Sequence, residues 1–85
     1  MGIYNEVYKK CPKCAHPCKT DVGQIEIRFR VYDLDNRYTT EHLSRLQKEE
    51  LADFANNEDF LCACCGLLFK VQVVVGVPNP TQVYV

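Results

Sequence analysis

Histidine is scarce in this sequence, present only as His16 and His42. That leaves little for a catalytic zinc centre, which keeps an open coordination position and usually includes imidazole. No P-loop, G-x-S-x-G or H-E-x-x-H pattern occurs, so the chain is not expected to be an enzyme. No apolar run approaches the roughly 20 residues of a membrane span. Met1–Lys10 lacks the apolar stretch of an export signal, and a cytoplasmic location is expected. Neither sign of charge dominates: 10 Lys and Arg against 11 Asp and Glu give a net −1. A uniformly basic nucleic-acid binder is thereby excluded, but a locally basic face is not.

What is present is a globular composition, 47% hydrophobic and 25% charged, in 85 residues. One domain over 1–85 is expected, without repeats or linkers. A chain this short buries only about 60–65% of the surface it exposes when unfolded. Such domains usually need a staple, and six cysteines suggest which one. They form two tight groups, Cys11, Cys14 and Cys18, then Cys62, Cys64 and Cys65. A disulfide framework belongs to exported proteins and usually spreads its cysteines along the chain. Two clusters far apart instead read as two halves of one metal site. Cys11-Pro12-Lys13-Cys14 and Cys62-Ala63-Cys64-Cys65 are both C-x-x-C, the pairing that fills the four positions of a closed Zn²⁺ site. Gly66, directly behind the second pair, suits the positive φ such a turn often needs. One Zn²⁺ held by Cys11, Cys14, Cys62 and Cys65 is expected. His16, Cys18 and Cys64 are alternative ligands, and iron binding or thiol redox chemistry is the competing use of the same sulfurs.

Along the chain, Ile3, Tyr4, Val7 and Tyr8 suit a strand leading into the first cysteine turn. Ile25, Ile27, Phe29 and Val31 alternate with Glu26, Arg28, Arg30 and Tyr32, which predicts a half-buried strand over Gln24–Tyr32. A helix is expected over Glu41–Ala55, capped by Thr40, with Leu43, Leu46, Leu51 and Phe54 as its apolar stripe, a Glu41–Arg45 pair, and Asn56-Asn57 as its stop. Leu67 to Val77 reads as a strand covered on both faces. Pro78-Asn79-Pro80 ends it, and Thr81–Val85 is a candidate last strand. The expected fold class is α+β: a small antiparallel sheet with one inserted helix packed on it.

Cys11-Pro-Lys-Cys14 and Cys62-Ala-Cys-Cys65-Gly66, the latter followed by the strand Leu68-Phe-Lys-Val-Gln-Val, resemble the zinc-ribbon family. The resemblance covers about 25 residues. It implies that the two knuckles sit at the ends of two hairpins and that their four cysteines bind structural zinc. It extends to the small stand-alone ribbons of bacteria and their phages, which implies a regulator, phage-encoded and aimed at a host protein. Two features depart from the pattern. Ala15 stands where the first knuckle usually has glycine, a strain of about 1 kcal/mol, and a helix is inserted between the knuckles.

Charge is unevenly spread. Lys9, Lys10, Lys13 and Lys19 against Glu6 leave residues 1–20 at +3, whereas six acidic residues against Arg45 and Lys48 leave 41–60 at −4. Two uses follow. A protein partner would meet the acidic helix through Glu49, Glu50 and Asp53, or pair with the Val-rich C-terminal strand, which would also serve a homodimer. Alternatively a nucleic acid would meet Lys9, Lys10, Lys13, Arg28 and Arg30, with a base stacked on Tyr32. The protein-interaction reading is favoured, because net charge opposes the second.

Overall fold

The computed structural model describes residues 4–23, 25–76 and 83–85. Its first unit is a hairpin of β1 (Asn5–Lys10) and β2 (Pro17–Val22), antiparallel with Val7 opposite Thr20 and Lys9 opposite Cys18. Val7, Cys18 and Val22 turn inward and the charged residues between them outward, the period-two pattern of a half-buried sheet. A third strand, β3 (Val31–Asp33), joins the other edge of β1 in parallel, giving the order β2-β1-β3. The second unit is a short antiparallel hairpin, β4 (Phe60–Leu61) with β5 (Leu68–Phe69). Beyond it β6 (Val73–Val74) pairs in parallel with β7 (Val83–Tyr84). Between the two hairpins runs α1 (Arg45–Asn56). The α+β class therefore holds, and both hairpins are antiparallel. The two remaining strand pairs run parallel.

The core is one cluster: Val7, Tyr32, Leu51, Ala55, Phe60, Cys62 and Val73 are essentially shielded from water. Phe60 and Phe69 stack across the second hairpin with ring centres 5.6 Å apart. Helix α1 packs on β2 and β6. Gly23, at the end of β2, makes room for this, since a Cβ there would lie 2.4 Å from the tip of the Phe54 ring.

Three expected elements differ. Among the described residues the strand expected over Gln24–Tyr32 is confined to Val31–Asp33, and its alternation holds at Ile25, which is buried, but inverts beyond it. Ile27, Phe29 and Val31 are exposed while Tyr32 is buried. The cause is Asn5, itself fully buried. Its Oδ1 accepts the backbone N–H groups of Ile25 (2.8 Å) and Glu26 (3.2 Å), and its Nδ2 donates to the Arg28 carbonyl (3.1 Å). One side chain satisfies the backbone that a neighbouring strand would have paired.

The helix begins four residues later than expected. Ser44 caps it: its Oγ accepts the Gln47 N–H (3.2 Å) while the Gln47 side chain accepts the Ser44 N–H (2.9 Å), a full capping box. Its buried face is Leu51, Ala52 and Ala55, whereas Leu46 is 75% exposed and Phe54 partly so. Arg45 pairs with Glu49 rather than Glu41, and the chain leaves the helix at Asn57 as expected.

The strand expected over Leu67–Val77 keeps its inward face. Leu67, Phe69, Val71, Val73 and Val75 all pack on or within the core. It is nonetheless split into β5 and β6, and Leu68 is exposed rather than covered. Asn56 fixes β6 by two hydrogen bonds to Val73, accepting its N–H (2.6 Å) and donating to its carbonyl (3.0 Å). Ile3, Gln24 and Val77, the expected Pro78–Pro80 stop, and Thr81 with Gln82 fall outside the described residues. No helix among the described residues is long and apolar enough to cross a membrane.

Candidate metal centre

Both hairpins end in the same turn. In the first, the Cys11 N–H donates to the His16 carbonyl and the Ala15 N–H to the Cys11 carbonyl, each at 2.9 Å. In the second, Cys62 donates to Leu67 and Gly66 to Cys62, again at 2.9 Å. Ala15 (φ +62°) and Gly66 (φ +75°) occupy equivalent left-handed positions. The glycine-like conformation expected of Ala15 is thus real, and an alanine adopts it.

These turns aim backbone N–H groups at sulfur. Lys13 N–H donates to Cys11 Sγ and Cys65 N–H to Cys62 Sγ, both at 3.4 Å. Contact between β2 and β4 brings the turns together so that the sulfurs of Cys11, Cys14, Cys62 and Cys65 all lie within 4.8 Å of one another. Across the knuckles, Cys11–Cys65 is 3.6 Å and Cys14–Cys62 is 3.4 Å. Sulfurs about 2.3 Å from a tetrahedral zinc are ~3.8 Å apart, so the cage has the right size. Four cysteines are positioned to bind one metal ion.

The electrostatics repeat the symmetry. Burial pushes the Cys11 thiol up, but the N–H groups of Cys14 and Lys13 outweigh it and hold the thiol below its ordinary range. The Cys65 N–H, against burial, brings Cys62 down to about 6. Cys14 accepts the His16 N–H, yet the Cys62 sulfur and burial push it up to about 12. Cys65, despite the Leu67 N–H, is raised by burial and by Cys62. In each knuckle the first sulfur is thus held below the ordinary thiol range and the second above it, and a bound cation displaces the protons that remain. An all-thiolate donor set of this geometry suits zinc or iron.

The alternative ligands stand outside the four-sulfur cage. Cys18 is buried beside it on β2, donating to the His16 carbonyl at 3.3 Å. Burial and the nearby Cys62 sulfur push its thiol up to about 11. His16 contributes its carbonyl to the first turn while its side chain is exposed. Cys64 is exposed within the second turn.

The basic residues do not gather into one free face. Lys9 pairs with Asp35 at 2.8 Å, whose other oxygen accepts the Lys10 N–H. Arg30 pairs with Glu26. Among the described residues Lys10, Lys13 and Arg28 remain exposed and outside ion pairs. The expected role of Tyr32 as a stacking platform is overturned. Its ring is fully buried and its hydroxyl donates to Glu26 Oε2 at 2.6 Å. His42 Nε2 lies 2.8 Å from the same oxygen, its ring stacked on Tyr32. Burial raises the Glu26 carboxyl, but Tyr32, His42 and Arg30 together hold it below the usual range. This polar knot was not anticipated, because it joins three short segments that periodicity treats separately. Glu49, Glu50 and Asp53 are exposed along α1 as expected. Within the Val-rich C-terminal strand, the expected pairing edge, β6 pairs with β7 of its own chain.

The chain matches no protein-family model, no curated protein and no solved structure. The zinc-ribbon likeness therefore stands on the two knuckles themselves: their spacing, their mirrored turns and the four-sulfur cage between them.

Proposed function

We propose that this chain is a non-enzymatic protein-interaction module of zinc-ribbon type, whose single Zn²⁺ is structural. The observation that supports this most is the duplicated turn, with backbone N–H groups directed at the sulfurs of a four-cysteine cage. A closed all-thiolate shell has no open position for a reacting ligand, which favours a structural over a catalytic ion. Structural zinc typically stabilises a small domain by about 10–16 kcal/mol at neutral pH, enough to decide whether a chain this size folds. The fold it secures then presents an acidic helix to a partner.

The test is metal analysis of chain purified under reducing conditions without a histidine tag, followed by circular dichroism during chelation. One zinc per chain, unfolding on chelation, and a Cys11→Ser chain that fails to fold are the expected results. A metal-free chain with an unchanged spectrum would overturn the structural role. Iron in place of zinc would point to electron transfer.

A further inference from the structure

Helix α1 buries Leu51, Ala52 and Ala55. At 100° per residue, Leu46, Glu49, Glu50 and Asp53 fall within about 100° of arc on the opposite side. With Gln47 they form one open surface of the helix. Leu46 sits in the middle of this outward face and is 75% exposed. A leucine there contributes nothing to the core, and the capping box of Ser44 and Gln47 already holds the helix start. Of the three carboxylates that follow it along this face, Glu49 pairs loosely with Arg45 at 3.3 Å and Asp53 is touched by Asn57. Glu50 has no ion pair among the described residues.

An apolar seat with three negative charges following it along one face selects its occupant. A second copy of the same face offers these carboxylates no spare cation, since its Arg45 already pairs with Glu49. A cationic surface gains from the carboxylates while an apolar side chain covers Leu46. We propose that the outward face of α1 docks a basic amphipathic helix, one apolar side chain of which seats against Leu46 while lysines or arginines one and two turns along meet Glu49, Glu50 and Asp53. This rests on the reading of the chain as a protein-interaction module and names the partner's chemistry.

The test uses the zinc-loaded, ¹⁵N-labelled full chain and two synthetic helical peptides. One carries a leucine with lysines three, four and seven positions to one side, and the other has serine in place of that leucine. The leucine peptide is expected to shift the amide signals of Leu46, Gln47, Glu50 and Asp53. Leu46→Ala, which changes no charge and lies on the exposed face, should weaken its binding about tenfold. Glu50→Gln with Asp53→Asn should weaken binding and flatten its salt dependence. Equal binding of both peptides, or indifference to Leu46→Ala, would reduce the effect to charge attraction and overturn the seat. Failure of the folded chain to bind at low salt would overturn it as well. Shifts centred instead on Pro12, Phe69 and Val83 would overturn this face while leaving the interaction-module reading standing.

Discussion

Ala15 and Gly66 form a matched pair from which a stability change can be worked. Both hold φ near +60 to +75° at the same point of the same turn. An L-residue in this conformation is disfavoured by roughly 1–2 kcal/mol. Replacing Ala15 by glycine relieves that strain but adds unfolded-state freedom, which costs about 0.5–1 kcal/mol. The net gain for Ala15→Gly is about 0.5–1 kcal/mol. Gly66→Ala should lose a similar amount, and steric conflict does not enter: a Cβ at Gly66 meets no atom within 4 Å. For a domain of this size such changes move Tm by ~2–8 °C, upward for the first variant and downward for the second. The assay is thermal unfolding by circular dichroism at fixed free zinc, since metal linkage would otherwise shift both transitions. The double variant, which exchanges the two residues, should return close to the parent. Changes of the same sign in the two single variants would refute the equivalence of the knuckles.

Two further outcomes follow from the polar groups. The Glu26 carboxyl is held below its ordinary range in the fold, so its stabilisation is present above the unfolded-state pKa and is lost as pH falls through the folded value. Glu26→Gln should therefore lower stability at neutral pH and flatten the acid limb of a urea-midpoint profile, whereas an unchanged acid limb would show that the carboxylate contributes nothing. Asn56→Ala leaves the Val73 N–H and carbonyl without their side-chain partner and should cost about 2–3 kcal/mol in urea unfolding; a loss below about 0.5 kcal/mol would mean that water replaces the amide.

The metal cage was legible because its signal is local. A C-x-x-C turn places two sulfurs and their N–H donors within six residues, and nothing distant can rewrite it. The inward face from Leu67 to Val75 was readable for a similar reason, since strict alternation survives even where the strand breaks. Failures came where a remote side chain took over the backbone. The alternation around Ile27 and Phe29 looks like a strand, but Asn5 claims the N–H groups of Ile25 and Glu26. Thr40 is the cap expected from sequence, but Ser44 takes that place because Gln47 completes its capping box. The pattern of leucines misplaced the helix face because Leu46 is turned outward, where composition alone would have buried it.

The two knuckles meet although Cys14 and Cys62 are 48 positions apart. Closing a chain segment of that length costs an unfolded polypeptide on the order of 4 kcal/mol in entropy. The first knuckle assembles from neighbouring residues, but the cage is completed only when β4 reaches β2 across the whole insert. The helix and the Glu26 knot are enclosed within that long loop. A cation shared by both turns would therefore act as a clasp on everything between them, and the rate of reaching the native state should then depend on the free metal concentration as well as on chain topology.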